Sequence, residues 1–342
     1  MATEKLRATA LELVSGNKGI LAADESTGTI KKRFEGIGVE STEENRRAYR
    51  ELLFAAEGIE ESISGVILYD ETIRQSAADG TPFPRMLAEK GVIPGIKVDL
   101  GAKPLPFAPE ETVTEGLDGL RERLAEYVGL GARFAKWRAV IAVGEDMPSD
   151  LCIAANAHAL ARYAALCQEA GVVPIVEPEV LMDGGHSIER CYEVTRATLK
   201  AVYSELFLQR VQLEGMLLKP NMVLSGTGNP SQAGPEEVAD WTLRCFHEVV
   251  PAAVPGIVFL SGGQSDETAS ANLNAINAAG SQPWELSFSY GRALQAPSLK
   301  AWRGDEANVP AGQEALLHRA RMNSAAVAGR WSKELEQLAP AA

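Results

Sequence analysis

Residues that commonly hold metals or form disulfides are scarce in this sequence. Its 342 residues include four cysteines and four histidines. The cysteines are Cys152, Cys167, Cys191 and Cys245. No two of them form a C-x-x-C pair, and all four lie in stretches with a helical pattern. This favours reduced thiols in an intracellular protein. The histidines are widely separated and form no H-x-x-H or H-E-x-x-H pair, so no metal site is predicted from His158, His186, His247 or His318.

Positive charge and long apolar runs are also in short supply. Lysine and arginine number 33 against 46 acidic residues, a formal charge of −13. This balance disfavours a nucleic acid or an anionic membrane as a partner, while leaving room for a local basic pocket. The longest apolar-rich segment, residues 151–170, contains Asn156 and Arg162 and is a poor membrane span. Residues 1–15 lack an apolar secretory core, so we expect a cytoplasmic protein.

Several well-known catalytic signatures are missing. The sequence contains no G-x-S-x-G elbow, and no G-x-G-x-x-G follows a predicted strand. The loop that begins at Asp24 is rich in hydroxyls and cations but does not match the nucleotide-binding P-loop. Serine hydrolysis, dinucleotide binding and P-loop nucleotide binding are therefore not supported.

Short β-rich runs recur along the whole chain, and each is followed by a helical pattern. There are eight such runs, at residues 19–24, 65–70, 93–99, 132–141, 172–180, 215–222, 256–263 and 285–291. Alternating strands and helices imply a parallel sheet, and eight units at this length favour an α/β protein with a closed (β/α)8 TIM barrel. A doubly wound open sheet is the alternative. No linker divides the chain, so residues 1–342 are predicted to form one barrel domain with a short C-terminal tail after about residue 330.

Helix ends are indicated by caps and glycines. A capping box in residues 41–44, pairing Ser41 with Glu44, predicts a helix that runs to about residue 58. Further helices are predicted to begin near Thr114, Ser149, Pro235 and Ser265, two of them ending near residues 171 and 280.

Charged side chains collect where the predicted strands end. In a closed barrel, catalytic groups stand at this end on several strands. Any one charged residue at a strand end can be explained by contact with solvent, but a whole set is harder to explain in this way. The set comprises Asp24, Lys97, Asp99, Lys136, Arg138, Glu177, Glu179 and Lys219.

Lys219 follows a short apolar run and precedes a proline. Strand alternation places Leu217, Lys219 and Asn221 on one face, and closing the sheet brings Lys136 and Glu177 toward the same mouth. A second lysine and burial would both favour a neutral fraction of the Lys219 amine. Two neighbouring carboxylates repel, so one of Glu177 and Glu179 could hold a proton and act as an acid. An amine, an acid and a base suit imine chemistry; a charge-compensated network without a reaction is an equal alternative on residue types alone.

Glycine-rich turns follow the last two predicted strands. One contains Ser261 and Gly262, the other Gly291 and Arg292, and each opens a helix. Barrels often bind phosphate with these two loops, because glycines expose backbone N–H groups at a helix N-terminus. The loop after the first strand resembles a second anion site.

Taken together, these stretches resemble the class I fructose-1,6-bisphosphate aldolases nearly from end to end. The matching segments are GILAADESTG at 19–28, STEENRR at 41–47, GIKVD at 95–99, FAKWR at 134–138, VPIVEPE at 173–179, LLKPNM at 217–222, LSGGQS at 260–265 and FSYGRAL at 288–294. The resemblance implies a metal-independent (β/α)8 lyase, usually a homotetramer. Such an enzyme has no cofactor beyond a covalent imine on Lys219, and it reversibly cleaves fructose 1,6-bisphosphate into dihydroxyacetone phosphate and glyceraldehyde 3-phosphate.

The resemblance also implies a role for each matching position. Lys219 matches the Schiff-base lysine, Glu177 the acid that assists imine formation, and Glu179 its neighbouring carboxylate. Asp24 matches the aspartate near the C3–C4 bond, and Lys136 and Arg138 the neighbouring cations. The ketose phosphate site would be Ser261, Gly262, Gly291 and Arg292, and the other phosphate region Ser26, Thr29, Lys32, Arg33 and Lys97, with Thr29 replacing a serine.

One family feature has no counterpart. Well-known members end in a tyrosine thought to assist proton exchange at the enamine, but no tyrosine follows Tyr290 here. We therefore expect the rate of proton exchange with dihydroxyacetone phosphate to be reduced more than the rate of cleavage of the bisphosphate. Two rival hypotheses remain: a Schiff-base aldolase for a different phosphorylated ketose, resembling a transaldolase, and a catalytically silent barrel that binds sugar phosphates or proteins.

Overall fold

Eight parallel strands close into a barrel, as the spacing of the β-rich runs predicts. A computed structural model describes residues 2–337, with side chains from residue 4 onward. The barrel order is β1-β10-β9-β8-β7-β6-β3-β2, and β4 and β5 form a separate antiparallel pair. The strands are β1 Gly19–Ala23, β2 Ile63–Leu68, β3 Ile93–Lys97, β4 Ala102–Leu105, β5 Ala108–Thr114, β6 Phe134–Ile141, β7 Val173–Val180, β8 Leu217–Leu218, β9 Gly256–Phe259 and β10 Glu285–Tyr290.

Helices alternate with the strands and surround the barrel. They are α1 Ala2–Val14, α2 Thr27–Glu35, α3 Glu43–Ala55, α4 Asp70–Ile73, α5 Phe83–Glu89, α6 Leu120–Gly129, α7 Asp150–Glu169, α8 Ile188–Leu208, α9 Pro235–Val249, α10 Asp266–Ala278, α11 Arg292–Trp302, α12 Val309–Val327 and α13 Lys333–Gln337. The predicted starts near Ser149, Pro235 and Ser265 are confirmed, and the two serines cap α7 and α10. Among the helices of residues 2–337, none is long and apolar enough to cross a membrane. The (β/α)8 fold class is confirmed.

Two local predictions about helix starts are wrong. Thr42, not Ser41, caps α3: its hydroxyl accepts a hydrogen bond from the Asn45 amide at 3.1 Å. Glu44 pairs instead with Arg47 at 2.7 Å, and α3 ends at Ala55 rather than near residue 58. The capping pattern therefore indicates the helix correctly but is shifted by one residue.

The helix expected near Thr114 begins six residues later, because residues 102–114 form the β4–β5 hairpin. Thr114 ends β5, and its hydroxyl donates to the Arg138 carbonyl at 2.7 Å. Its amide donates to the Asn156 side chain at 3.3 Å. These hydrogen bonds to β6 and α7 hold residues 102–114 in an extended conformation. Because Arg138 and Asn156 are distant in sequence from Thr114, the residues around Thr114 do not themselves indicate a strand.

The N-terminal helix closes the end of the barrel at which the strands begin. Leu6, Ala10, Leu13 and Val14 of α1 pack against apolar side chains inside the barrel. Gly256 at the start of β9 makes room, since a Cβ atom there would lie 2.7 Å from the Val14 side chain. A larger apolar core fills the space between the sheet and the surrounding helices.

Candidate active site

A cavity of 440 Å³ opens at the carboxyl ends of the barrel strands. Every residue that the resemblance assigned to the site lines it except Lys32, and of the charged residues at the strand ends only Asp99 is missing from the lining. The lining residues come from β1, β3, β6, β7 and β10 and from the segments that follow β1, β7, β8, β9 and β10. Residues far apart in the sequence thus meet because all eight strands run in the same direction around the barrel.

Two lysines and two carboxylates form a buried chain at the floor of this cavity. Lys219 Nζ lies 3.2 Å from Glu177 Oε1, and the other oxygen of Glu177 lies 3.2 Å from Lys136 Nζ. Lys136 Nζ also contacts Asp24 Oδ2 at 2.7 Å. Because Glu177 lies between the two ammonium positions, it can exchange a proton with Lys219 directly.

The charges in this chain stabilise one another against the cost of burial. Burial alone would raise the pKa of Asp24, but Lys136, Lys219 and Lys97 outweigh it and lower that pKa. Burial would likewise raise the pKa of Glu177, and Lys136, Lys219 and Arg138 lower it. For Lys136, burial would lower the pKa, whereas Asp24, Glu177 and Asp99 raise it. Asp24 and Glu177 are therefore ionised and Lys136 is protonated in the unliganded site.

The two neighbouring carboxylates of β7, Glu177 and Glu179, have different surroundings. The pKa of Glu177 is lowered, because Lys136, Lys219 and Arg138 together outweigh burial and the nearby Asp24 carboxylate, both of which raise it. Glu179 contacts the Arg138 guanidinium instead of a lysine. The two neighbouring carboxylates thus have different partners, because Glu177 contacts two lysines and Glu179 contacts an arginine.

Asn221 does not share the cavity face with Lys219, contrary to the strand alternation. Regular β8 ends at Leu218, and Pro220 follows Lys219. The Asn221 amide donates to Thr195 on α8 at 3.1 Å, and its oxygen accepts from the Val180 amide at 3.1 Å. Alternation of side chains requires a continuous strand, and the chain turns away here. Asn221 holds the strand end against α8.

Glycine turns and a cation form the side of the cavity after β9 and β10. Ser261, Gly262 and Gly263 follow β9, and Gly262 has a φ of 58°, a conformation that favours glycine. Gly291 caps α11, whose first residue is Arg292. A Cβ atom on Gly263 would lie 3.6 Å from Arg292 Nη2. These turns place a helix N-terminus and a guanidinium at the cavity, an arrangement suited to an anion.

The segment after β1 contributes residues from one side of α2. The Ser26 hydroxyl caps this helix and lies 3.1 Å from the Thr29 hydroxyl. Thr29 and Arg33, one turn apart, line the cavity. Lys32 does not: it is exposed on α2 and lies outside the lining, because the Thr29–Arg33 face is the one turned inward. The structure thus leaves Lys32 out of the constellation to which the resemblance assigned it.

Lys97 lies at the far side of the cavity, at the end of β3. Its Nζ is 3.5 Å from Asp99 Oδ1 and 5.9 Å from the centre of the Tyr69 ring. Asp99 Oδ2 also accepts from the Arg138 amide at 3.2 Å. Asp99 therefore links the ends of β3 and β6.

A second ionic cluster behind the cavity was missed from the sequence. Glu25 lines the cavity, and its carboxylate contacts Arg33, Arg50 Nη2 at 2.5 Å and Gln295 Nε2 at 2.9 Å. The same Gln295 nitrogen donates to the Ala22 carbonyl at 2.6 Å. The partners are up to 270 residues apart. The only local signal was an acidic residue next to Asp24.

All four histidines and all four cysteines lie within the part of the chain that the structure describes. Within residues 4–337, no three His, Cys, Asp or Glu side chains are grouped so that they could hold a metal ion. The four cysteines are free and buried, on α7, α8 and α9.

Comparison with known proteins decides the family. The model of the family described as "Fructose-bisphosphate aldolase class-I" matches residues 5–341. The chain belongs to the class I fructose-bisphosphate aldolases. It is 59% identical over 332 residues to a probable class 1 aldolase of Xanthomonas campestris pv. campestris, covering 97% of this chain and 99% of the relative. It is 54% identical to cytosolic aldolase 4 of Arabidopsis thaliana, covering 98% of this chain and 85% of that protein.

Solved structures agree with this assignment. The aldolase of Plasmodium falciparum, solved in a complex with TRAP and a small-molecule inhibitor, superposes with a TM-score of 0.96 at 51% identity. The match covers 97% of this aldolase and 96% of the other chain. The sequence resemblance is thereby confirmed: the protein is a lyase that cleaves fructose 1,6-bisphosphate, and its family works through a lysine Schiff base without a metal. The silent-barrel and transaldolase-like hypotheses lose their support.

Proposed function

We propose that Lys219 is the amine that forms the Schiff base, with Glu177 as its proton partner. The observation that carries this assignment is the 3.2 Å separation between Lys219 Nζ and Glu177 Oε1 in a buried site. The neutral amine of Lys219 attacks the ketone carbon, and Glu177 carries a proton from the nitrogen to the resulting alkoxide, which gives the carbinolamine. A second transfer from nitrogen to oxygen through Glu177 converts the hydroxyl into water, which leaves and yields the iminium.

The iminium then draws electrons from the C3–C4 bond of the bound substrate. Asp24, held ionised by the lysines around it, is proposed to remove the C4 hydroxyl proton. The aldehyde leaves as the bond breaks, and an enamine remains on Lys219. Lys136 lies 2.7 Å from Asp24 and 3.2 Å from Glu177, so it would fix both carboxylates. Glu179 would orient Arg138 at the cavity wall.

Two phosphate subsites would hold the substrate across this cluster. We assign the ketose phosphate to Ser261, Gly262, Gly291 and Arg292, and the far phosphate to Ser26, Thr29, Arg33 and Lys97, supported by the fact that all of them line one cavity. Phosphates held at both ends align the reacting bond with the lysine, so binding energy away from the bond lowers the barrier. No group besides the covalent imine is required.

Borohydride trapping tests the imine assignment. The protein is incubated with dihydroxyacetone phosphate, reduced with borohydride, digested and mapped by mass spectrometry. A stable adduct on the peptide that contains Lys219 is expected, and activity should persist in EDTA. An adduct on another lysine, or activity abolished by EDTA, would contradict the proposal.

The oligomeric state, location and domain organisation are inferred from membership of the family. We propose a cytoplasmic homotetramer in which residues 1–342 form one barrel domain with a tail after about residue 330. One continuous apolar core extending from α2 to α12 supports the single domain, and the Arabidopsis relative named cytosolic supports the location. Light scattering coupled to gel filtration tests the tetramer: a mass near that of one 36.6 kDa chain would contradict it. The predicted effect of the missing tyrosine on proton exchange concerns a C-terminal segment whose last residues lie outside the described residues.

A further inference from the structure

The turn after β9 is packed against a methionine from a different part of the barrel. Met182 lies in the segment that follows β7, and β8 separates β7 from β9 in the barrel order. A Cβ atom placed on Gly262 would lie 3.5 Å from Met182 Sδ, and one placed on Gly263 would lie 3.2 Å from it. The thioether of Met182 therefore occupies the space beside both glycines of the turn.

Hydrogen bonds hold the backbone around Met182 in place. The Leu181 amide donates to the Ile141 carbonyl of β6 at 2.9 Å, and the Met182 carbonyl accepts from the Thr227 amide at 2.8 Å. These two bonds tie the start of the segment after β7 to β6 and to the segment after β8. The side chain of Met182 thus projects toward the glycines from a fixed base.

The glycines of the turn do not by themselves select one conformation. Gly262 has a φ of 58° and Gly263 a φ of 105°, both in the left-handed region that favours glycine. Because two consecutive glycines give the backbone wide freedom, a single conformation of the turn depends on packing by neighbouring groups. Arg292 Nη2 would lie 3.6 Å from the same Cβ atom on Gly263. Gly263, which lines the cavity, is therefore flanked by Met182 and Arg292.

A second methionine contacts the next residue of the turn from inside the protein. Met222 Sδ lies 3.8 Å from Gln264 Nε2, and Met222 is 1% exposed. The buried side chain of Gln264 also donates to the Ser261 carbonyl at 3.0 Å and accepts from Asn272 at 2.6 Å. Met182, in contrast, is half-buried. Of the two methionines that support the turn, Met182 is the one that solvent reaches.

We propose that Met182 is a positioning residue for the ketose phosphate, because its thioether holds the turn at Gly262 and Gly263 in the conformation that lines the cavity. The inference rests on the proposed function, which assigns that phosphate to this turn. It also makes the site sensitive to oxidation. Hydrogen peroxide transfers one oxygen atom to the sulfur, so the thioether is oxidised to a sulfoxide and the peroxide is reduced to water. The thioether already fills the space beside the glycines, so the larger and more polar sulfoxide would displace the turn.

Substitutions of Met182 test the positioning role. Met182→Ala should raise KM for fructose 1,6-bisphosphate and for fructose 1-phosphate by a similar factor, about 10-fold, with a smaller change in kcat. Both substrates carry the ketose phosphate, whereas only the bisphosphate carries the far one. Met182→Leu keeps the volume and the apolar contact, so both KM values should stay within about twofold of wild type. Met86→Ala, at a half-buried methionine of α5 that does not line the cavity, is the matched control and should leave both KM values unchanged.

Peroxide treatment tests the sensitivity to oxidation. Wild-type protein and Met182→Leu are treated in parallel with hydrogen peroxide, and sulfoxides are located by peptide mass spectrometry. The wild-type KM for both substrates should rise about 10-fold as Met182 is oxidised, and methionine sulfoxide reductase should restore it. Met182→Leu keeps every other methionine and all four cysteines, so its KM values should not change.

The outcomes that overturn the inference are distinct from failure of the proposed function. Unchanged KM values for Met182→Ala, even with a lowered melting temperature, would make the contact purely structural. A KM increase confined to the bisphosphate would place the effect at the far phosphate. Equal sensitivity of wild type and Met182→Leu to peroxide, or a normal KM once Met182 is oxidised, would also contradict the inference; this comparison decides if Met182→Ala does not fold. Wild-type protein that cleaves neither substrate would instead overturn the proposed function itself.

Discussion

Asp24 and Glu25 are consecutive residues, yet their carboxylates belong to two different buried ionic clusters. Asp24 faces the barrel interior and contacts Lys136 at 2.7 Å, in the chain that continues through Glu177 to Lys219. Glu25 faces Arg33, Arg50 and Gln295. Because both clusters are buried and both pair carboxylates with cations, burial and pairing alone do not separate a reactive site from a supporting one.

The cations make the difference. An arginine keeps its proton under all ordinary conditions and offers a rigid fork, so an arginine cluster fixes positions. A lysine amine becomes a nucleophile once its proton has a nearby acceptor, and Glu177 provides that acceptor at 3.2 Å from Lys219. We therefore expect changes in the lysine cluster to affect chemistry first and changes in the arginine cluster to affect stability and substrate position.

The largest effect is expected when the lysine of the first cluster is replaced by an arginine, the cation of the second cluster. Lys219→Arg keeps a positive charge beside Glu177 but cannot form an imine, so kcat should fall by about 10⁴-fold or more. Borohydride should trap no adduct. Lys200→Arg, an exposed lysine of α8, is the matched control. A kcat within tenfold of wild type for Lys219→Arg would refute the assignment.

The second largest effect is expected at the carboxylate between the two lysines. Glu177→Gln removes the proposed proton acceptor of Lys219 and should lower kcat by about 10²–10⁴-fold, the usual contribution of a general acid or base. Rapid-quench borohydride trapping should show slower imine formation. Glu179→Gln on the same strand, whose partner is Arg138, should slow that step less; equal effects from the two changes would contradict the proposed division.

The arginine cluster is tested by unfolding experiments. Arg50→Met leaves Glu25 with one arginine in a buried site and should lower the free energy of unfolding by about 3–5 kcal/mol, the usual cost of breaking a buried pair. Arg47→Met on the same helix removes partly exposed pairs with Glu44 and Glu51 and should cost about 1 kcal/mol or less. Urea denaturation measures both. A similar loss of unfolding free energy in the two variants would show that the buried ion pair of Arg50 stabilises the protein no more than the partly exposed pairs of Arg47.

The smallest predicted effect concerns pH. The folded protein lowers the pKa of Asp24, so its stabilising contribution is present above the unfolded value of about 3.9 and is lost as pH falls toward the folded pKa. Asp24→Asn should therefore be less stable than wild type by about 2 kcal/mol at pH 7, with the gap narrowing below about pH 4. Asp240→Asn, exposed on α9, is the control. A gap that is constant from pH 7 to pH 3 would argue against an ionic origin.

Much of the fold was predictable because its signals are local. Eight β-rich runs with helical patterns between them led to the closed barrel, and Ser149 and Ser265 marked helix starts that the structure confirms. The β4–β5 hairpin was not predictable in this way, because Thr114 is held by Arg138 and Asn156. Asn221 was misplaced since alternation was extended past the end of β8.

For the site, sequence alone determined the chemical inventory: a lysine before a proline, charged residues at strand ends and glycine turns before two helices. Only the tertiary structure decided which charges meet. Closure of the barrel put Glu177 between two lysines, turned Glu25 toward Arg50 and left Lys32 outside the cavity. The physical reason is that an ionic interaction depends on distance and burial, and in a parallel barrel both are set by strand order and register, which join residues hundreds of positions apart.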